Sequence, residues 1–135
     1  MVMERTPREV VVEMTRASDE ERITFPQLVA TLVAAGVERY HMDMVRHERT
    51  FYMPNGSSEL VSTHQSPPAA QDFSAKDVDA AVRTIQRGEI QYREFCRRIA
   101  QAGCVGYHVF IAGRRTLYYG RNGDMHVEHF PGAKS

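Results

Sequence analysis

Apolar residues recur along this chain with two different spacings, and the spacings follow one another in a fixed order. In residues 25–35 the spacing is i, i+3, i+4, i+7, which places apolar side chains on one face of an α-helix. These residues are Phe25, Leu28, Val29 and Leu32. From Val37 onward apolar and polar residues alternate, as in a β-strand with one buried face. The pattern therefore predicts a helix followed by strands.

Cap and turn residues predict where the elements of the first half begin and end. A first helix is predicted to open at Thr6–Glu9, where a capping threonine, a proline in the first turn and a glutamate form a capping box. Gly36 is placed to end the second helix. A turn near residues 47–48 is predicted to lead into a strand at Thr50–Tyr52. Asn55-Gly56 is a second turn signal, before a third strand at Glu59–Thr63.

The same plan begins again 67 residues later, without a gap. Residues 11–56 align with residues 78–123, and ten of the 46 pairs are identical, among them Gly36/Gly103, Tyr40/Tyr107 and His41/His108. Residues 64–73 contain Pro67-Pro68, which favours an extended linker. The second half accordingly predicts two helices followed by strands near residues 104–112, 115–119 and 125–130.

These elements predict an α+β fold with two layers. It consists of internally duplicated helix-helix-strand-strand-strand units whose antiparallel sheet is covered by helices on one face. Neither repeat, residues 6–63 or residues 74–130, is long enough to bury much core alone. We therefore expect one domain over residues 1–135.

Composition narrows the class of protein. The chain has 135 residues, a hydrophobic fraction of 42%, a charged fraction of 25% and no net charge, which is ordinary for a globular domain. No apolar run approaches the roughly 20 residues that span a bilayer, and residues 1–13 lack a secretory apolar segment. We therefore expect a cytoplasmic protein without membrane association.

Two cysteines, Cys96 and Cys104, do not form a CxxC motif. They align with Val29 and Val37 in the other half, and a position that accepts valine or cysteine is typical of a buried apolar site. We expect neither a catalytic thiol nor a metal ligand there, and no cofactor.

One grouping combines basic and aromatic residues, a combination that can bind single-stranded nucleic acid. It contains Arg97, Arg98, Arg114, Arg115, Arg121, Tyr118 and Tyr119. The two tyrosines align with Phe51-Tyr52 in a half that has no such basic cluster. Sheet packing is therefore favoured over nucleic-acid binding.

The predicted strands separate a helix-facing set of side chains from a more open set. The helix-facing positions are apolar in both halves: Tyr40, Met42 and Met44, and Tyr107, Val109 and Ile111. The opposite face carries His41, Asp43 and His108 as its candidate site residues. A twofold arrangement of the halves would bring the two histidines together. Two imidazoles and a carboxylate can act as acid–base or metal-binding groups, but they are also ordinary half-exposed strand residues, and both interpretations remain open.

A second polar cluster, His126-Val127-Glu128-His129, lies in the last predicted strand. In a strand His126 and Glu128 share one face while His129 points to the other, and the spacing has no zinc specificity. We favour a solvated strand there and assign no metal ligand.

Glycines, aromatics and one acid in fixed order also carry a resemblance to a known family. The motifs are Ala35-Gly36-Val37-x-x-Tyr40-x-x-Asp43, Thr50-Phe51-Tyr52, Gly88-Glu89-Ile90-x-Tyr92-x-x-Phe95, Ala102-Gly103-Cys104-x-Gly106-Tyr107 and Tyr118-Tyr119-Gly120-Arg121-x-Gly123-x-x-His126-x-Glu128-x-Phe130-Pro131. Over residues 24–131 the chain resembles the YdfO-like bacterial family of small proteins of unknown function. Some members lie in prophages, and the family is sometimes labelled phage envelope protein. The resemblance implies a compact α+β fold and supplies no catalytic residue or cofactor.

We therefore expect a non-enzymatic binding or protein-interaction domain of phage or prophage association, with a protein partner or a second copy docking on the face around His41, Asp43 and His108. The alternative is a small enzyme, or a ligand-binding or metal-binding protein, that uses the same face. An enzyme would gather the three residues in a concave pocket, whereas an interaction protein would present them on a flat patch.

Overall fold

The computed structural model describes residues 5–131, and this part of the chain contains four helices and six strands. The first half has α1 (Pro7–Asp19), α2 (Phe25–Ala34), β1 (Arg39–Asp43), β2 (Glu48–Tyr52) and β3 (Ser58–Ser62). The second half has α3 (Ala75–Gln86), α4 (Tyr92–Gln101), β4 (Cys104–Phe110), β5 (Arg115–Gly120) and β6 (Met125–His129). The predicted order of helix, helix and three strands is therefore present twice.

All six strands form one antiparallel sheet in the order β3-β2-β1-β4-β5-β6. The two halves join where β1 pairs with β4, and the register places His41 directly opposite His108. Arg39 pairs with Phe110 and Asp43 pairs with Gly106, so the pairing is symmetric about the two histidines. The helices pack on one face of this sheet, which confirms the predicted α+β class.

Local sequence explains where the helices begin. Thr6 and Thr24 each accept a hydrogen bond from the backbone three residues later, and Glu9 and Gln27 close both capping boxes. Ser74 caps α3 in the same way through the Asp77 amide. Since these caps satisfy amides that the first helical turn leaves free, they confirm the predicted starting points.

Left-handed backbone conformations occur at matching places in the two halves. Within residues 5–131, eight residues have a positive φ. They form four pairs, and the two members of each pair lie 67 positions apart. The pairs are Glu21/Gly88, Gly36/Gly103, His47/Arg114 and Gly56/Gly123. Turns of one kind therefore recur at equivalent positions, while a duplication in the history of the chain stays a prediction.

The core lies between the sheet and the helices. Tyr40, Met42 and Tyr107 are buried there, as the alternation predicted. Cys96 and Cys104 are also buried and are not bonded to each other. Burial raises the pKa of the Cys96 thiol to about 12 and that of Cys104 to about 11. Both cysteines are therefore protonated at neutral pH and act as small core residues.

The start of β2 differs from the prediction. The turn residue is His47, which has a φ of 57°, and the strand already begins at Glu48 rather than at Thr50. Two more residues therefore belong to the sheet, and alternation places Arg49 on the same face as Phe51. Arg49 lies on the helix side and is only 1% exposed.

Residues 64–73 contain neither helix nor strand. None of the helices within residues 5–131 is long and apolar enough to cross a membrane. The single domain predicted for residues 1–135 includes residues 1–4 and 132–135, which lie outside the described residues.

Candidate functional site

The predicted pair of histidines meets at the centre of the sheet face that carries no helix. The rings of His41 and His108 are stacked with their centroids 4.2 Å apart. Nε2 of His41 lies 2.6 Å from the hydroxyl oxygen of Tyr119, within hydrogen-bonding distance. The structure thus brings together two residues that are 67 positions apart, and it adds Tyr119 to them.

The third predicted residue, Asp43, lies on the same strand face but has a structural partner. Its Oδ1 accepts hydrogen bonds from the backbone amides of Val45 and Arg46, each at 3.0 Å. These bonds hold the turn between β1 and β2. The carboxylate therefore supports the backbone, and it affects His41 through electrostatic attraction.

Burial at this face lowers the pKa of both imidazoles and so favours their neutral form. Burial lowers the pKa of His41, although Asp43 partly opposes the change. Burial also lowers the pKa of His108, and the positive charges of His41 and Arg39 add to the effect. Because the ordinary value is 6.5, both rings are uncharged at neutral pH. The arrangement is a stacked pair on a sheet surface rather than a concave acid–base site.

A cavity of about 660 Å³ lies on the opposite side of the sheet, between the helices and the strands. Residues that are 67 positions apart line it from both halves. The eight pairs are Ser18/Ile85, Glu21/Gly88, Ile23/Ile90, Thr24/Gln91, Phe25/Tyr92, Leu28/Phe95, Tyr40/Tyr107 and Arg49/Thr116. The cavity therefore lies where the two halves face each other. Equivalent residues of the two halves form its wall, and some pairs differ in polarity, as Arg49 and Thr116 do.

Arg49 is the buried charge in this wall. Its Nη2 donates a hydrogen bond of 2.7 Å to the hydroxyl oxygen of Tyr92. Its Nε and Nη1 have no hydrogen-bond partner within residues 5–131. Asp19 attracts the guanidinium through space, but this carboxylate is already hydrogen-bonded to Thr63 and His64. Two donors of a buried cation are thus unpaired at the cavity.

Two tyrosines extend the polar part of the cavity. The hydroxyl oxygens of Tyr92 and Tyr107 lie 2.7 Å apart and share a hydrogen bond. Burial raises the pKa of both phenols well above the ordinary value of 10.0. They are therefore neutral donors and acceptors. Arg49 lies 5.2 Å from the Tyr92 ring centroid and 5.7 Å from that of Tyr40, within cation–π range.

This cavity was not predicted from the sequence. The alternation of apolar and polar residues predicts that Tyr40 and Tyr107 pack in the core. A turn near residues 47–48 with a strand from Thr50 gives Arg49 no defined face. A signal was nevertheless present, because Phe51 and Tyr118 occupy equivalent apolar positions. Arg49 and Thr116 precede Phe51 and Tyr118 by two residues and therefore lie on the same strand faces. A charge on a buried strand face indicates a special environment.

The C-terminal cluster forms an ion-pair network. One ligand atom each of Asp79, His126 and Glu128 lie within 4.8 Å of one another. Arg83 contacts both carboxylates, with Nη2 3.2 Å from the Asp79 oxygen. The arginine therefore already pairs with the charges that a cation would need. His129 lines the cavity, and its Nδ1 has no hydrogen-bond partner among the described residues.

The basic and aromatic grouping is divided in the structure. Tyr118 is buried on the helix side while Tyr119 lies on the open face. Arg97 and Arg98 pair with Glu94, and Arg121 donates to the backbone carbonyls of residues 69 and 70. The two tyrosines of the grouping therefore lie on opposite faces of the sheet, and three of its arginines have partners elsewhere in the fold.

A family model matches part of the chain. A family model described as "Protein of unknown function (DUF1398)" matches residues 55–129, which is more than half of the chain. The matched segment runs from the turn before β3 to the end of β6. No curated protein matches the chain significantly.

Proposed function

The chain belongs to the DUF1398 family of proteins of unknown function, and we propose that it is a binding protein whose site is the cavity between helices and sheet. The observation that carries this proposal is the buried Arg49 guanidinium, which belongs to a residue of the cavity wall and has two donor nitrogens without a partner among residues 5–131. Leaving a buried polar group without a partner costs roughly 1–3 kcal/mol. A ligand that pairs with these donors would offset that cost.

The dimensions of the cavity support a small molecule as the ligand. Its volume of about 660 Å³ is within the range of roughly 300–1,000 Å³ that is usual for such sites. Most of the surface of its wall is apolar, and Arg49, Tyr92 and Tyr107 form a hydrogen-bonded polar group within it. This is the usual division between binding area and specificity in a ligand pocket.

We propose binding without catalysis. The phenols of Tyr92 and Tyr107 are neutral at physiological pH because burial raises their pKa, so neither acts as a base or a nucleophile. Arg49 stays protonated in any protein environment. These groups can hold and orient a ligand, and they give no proton acceptor at the polar end of the cavity.

The open sheet face supports a second candidate function, as a contact surface for another copy of the chain. One row of side chains crosses all six strands there, and its outer members are exposed apolar residues. The row is Leu60, Thr50, His41, His108, Leu117 and Val127. Its members are related in pairs about the two histidines, and a twofold dimer would bring the same row of both copies together.

Sedimentation equilibrium tests this second candidate. If the face joins two copies, the double variant Leu60→Glu/Val127→Glu is monomeric where the unmodified chain is a dimer. A monomer at all concentrations of the unmodified chain would contradict it.

The proposed association with phages rests on the YdfO-like resemblance alone. The proposed cytoplasmic location rests on composition alone.

The cavity proposal is tested with neutral 4-phenylbutanol as a probe, followed by chemical-shift mapping on the whole chain. Binding in the cavity predicts perturbed amide signals around Tyr92, Tyr107 and Thr116. Thr116→Phe places a large ring on the cavity floor and should abolish binding. Leu117→Phe is the matched control, because it puts the same ring on the next residue, which faces the other side of the sheet.

Two results would overturn the cavity proposal. One is the absence of saturable binding of both 4-phenylbutanol and its acid, 4-phenylbutyrate. The other is equal loss of binding in Thr116→Phe and Leu117→Phe, since the second variant leaves the cavity unchanged.

A further inference from the structure

We infer that the ligand of the cavity is an apolar monocarboxylate whose carboxylate pairs with Arg49. This inference rests on the proposed function and names the class of molecule that the site would accept. Three features support it: the donors that Arg49 leaves free, the charge balance of the wall, and the apolar surface beyond it.

The free donors of Arg49 match a carboxylate in geometry. A guanidinium has two edges at which a pair of parallel N–H groups can hold both oxygens of one carboxylate. Tyr92 accepts from Nη2, and Nη2 carries a second hydrogen beyond that bond. Since Nε and Nη1 are both unpaired, one complete edge is left on whichever side Tyr92 does not occupy. A single hydroxyl or amide of a ligand could not fill that edge.

The charge around the cavity favours one negative charge over two. Arg49 is the buried cation of the wall, and the other charged residues that line the cavity are Arg22, Glu21 and Glu128. Arg22 already pairs with Glu13 and Glu20, and Asp19 contributes attraction to the Arg49 guanidinium. A dianion such as a phosphate monoester would meet cations that are already partly compensated, together with two carboxylates of the wall. A carboxylate needs only the charge that Arg49 supplies.

The remainder of the wall fits an apolar body. Isoleucine, leucine and phenylalanine side chains from both halves surround the space beyond the polar groups. They include Ile23, Phe25, Leu28, Ile85, Phe95 and Phe130. Phe25 and Phe130 meet edge to face with their centroids 5.3 Å apart. Burial of aromatic or branched aliphatic groups here contributes roughly 25 cal/mol per Å² of apolar surface.

The test compares probes that share one skeleton: 4-phenylbutyrate, 4-phenylbutanol, 4-phenylbutylamine and 4-phenylbutyl phosphate. Titration calorimetry at pH 7.4 on the unmodified chain should give a Kd for the carboxylate at least about tenfold lower than for the alcohol, because a charge-assisted bidentate pair replaces a single neutral hydrogen bond. The amine and the phosphate should bind more weakly than the carboxylate.

Arg49→Met removes the charge and keeps an unbranched side chain at the same place. In this variant the carboxylate should lose its advantage and bind no better than the alcohol. Arg46→Met is the matched control, because Arg46 is exposed and pairs with Glu48, and neither residue lines the cavity. It should leave the preference between acid and alcohol intact.

The outcomes separate this inference from the proposed function. Equal affinity for acid and alcohol would overturn the carboxylate inference and leave cavity binding in place. Tighter binding of the phosphate than of the carboxylate would also overturn it. The comparison of probes on the unmodified chain decides the question even if Arg49→Met does not fold.

Discussion

Arg49 and Tyr92 come from different halves of the chain and are joined by a hydrogen bond of 2.7 Å between Nη2 and the phenol oxygen. Arg49 lies near the start of β2, and Tyr92 is the first residue of α4. The bond therefore ties the sheet of one half to a helix of the other across the cavity. Tyr107 completes the chain of hydrogen bonds on the side of β4.

Loss of the Tyr92 hydroxyl should destabilise the protein. Tyr92→Phe removes the acceptor of Arg49 and adds a further unpaired donor to a buried cation, so we expect the free energy of unfolding to fall by about 1–3 kcal/mol. Urea denaturation measures the change. Tyr107→Phe is the comparison, because it leaves the bond from Arg49 in place and should cost less. A smaller loss in Tyr92→Phe than in Tyr107→Phe would contradict this account.

Replacement of Arg49 tests whether its charge is needed for the stability of the fold. A buried guanidinium with two unpaired nitrogens is costly to keep. Arg49→Met removes that cost while filling most of the space, so the variant should be as stable as the unmodified chain or more stable by about 1–3 kcal/mol. Arg49→Ala should lose about 2–4 kcal/mol because it leaves a void. A loss of more than about 3 kcal/mol in Arg49→Met would show that the charge holds the fold.

Stability should fall below neutral pH because of the stacked histidines. Burial lowers the pKa of both His41 and His108 below the value of 6.5, so the unfolded chain takes up protons first as the pH falls. Stability is therefore full above about pH 6.5 and declines as the pH falls through the pKa values of the folded state. Asp43 opposes the shift of His41, and Arg39 adds to that of His108.

Urea midpoints at pH 7.5 and pH 5.5 measure this decline. The double variant His41→Gln/His108→Gln should show a smaller decline between these two values. Asp19 also has a lowered pKa: burial raises it, but hydrogen bonds from His64 and Thr63 outweigh that effect. Its contribution is lost only at lower pH, below about 3.8. An unchanged decline in the double variant would rule out the histidine pair as its source.

Gly106 should not tolerate a side chain. A Cβ at this position would lie 2.8 Å from the carbonyl oxygen of Met42 and would overlap the Tyr119 hydroxyl. Gly106→Ala should therefore cost about 1–3 kcal/mol through overpacking. Gly113→Ala is the control, because its closest neighbour would be Cβ of Phe110 at 3.5 Å. Thermal unfolding measures both variants, and equal melting temperatures would contradict the expectation.

Periodicity and the repeat predicted most of the fold, because both depend on local physics. The apolar stripe around Phe25 and Leu28 favours a helix that can bury one face against the rest of the protein. Gly36 ends that helix with a positive φ, which glycine adopts without steric cost. The match of His41 with His108 indicated that the halves could meet there. The register β1–β4 itself depends on packing between halves, which no local pattern encodes.

The cavity could not be predicted because it depends on where β2 begins and how far apart the helix pairs stand. With a turn assigned to residues 47–48, Arg49 had no defined face, so its burial could not be inferred. The positive φ of His47 shortens that turn and brings Arg49 into the sheet. The space above Arg49 then results from the separation of α2 and α4, which is a property of the whole fold.

The match between the two halves has a consequence for how a bound molecule can lie. In a cavity with identical halves, a ligand could enter in two opposite directions with equal energy. Arg49 on one side and Thr116 at the equivalent place on the other remove that equivalence. A polar head group would find its partner in only one of the two directions, so the difference between Arg49 and Thr116 gives the site a defined polarity.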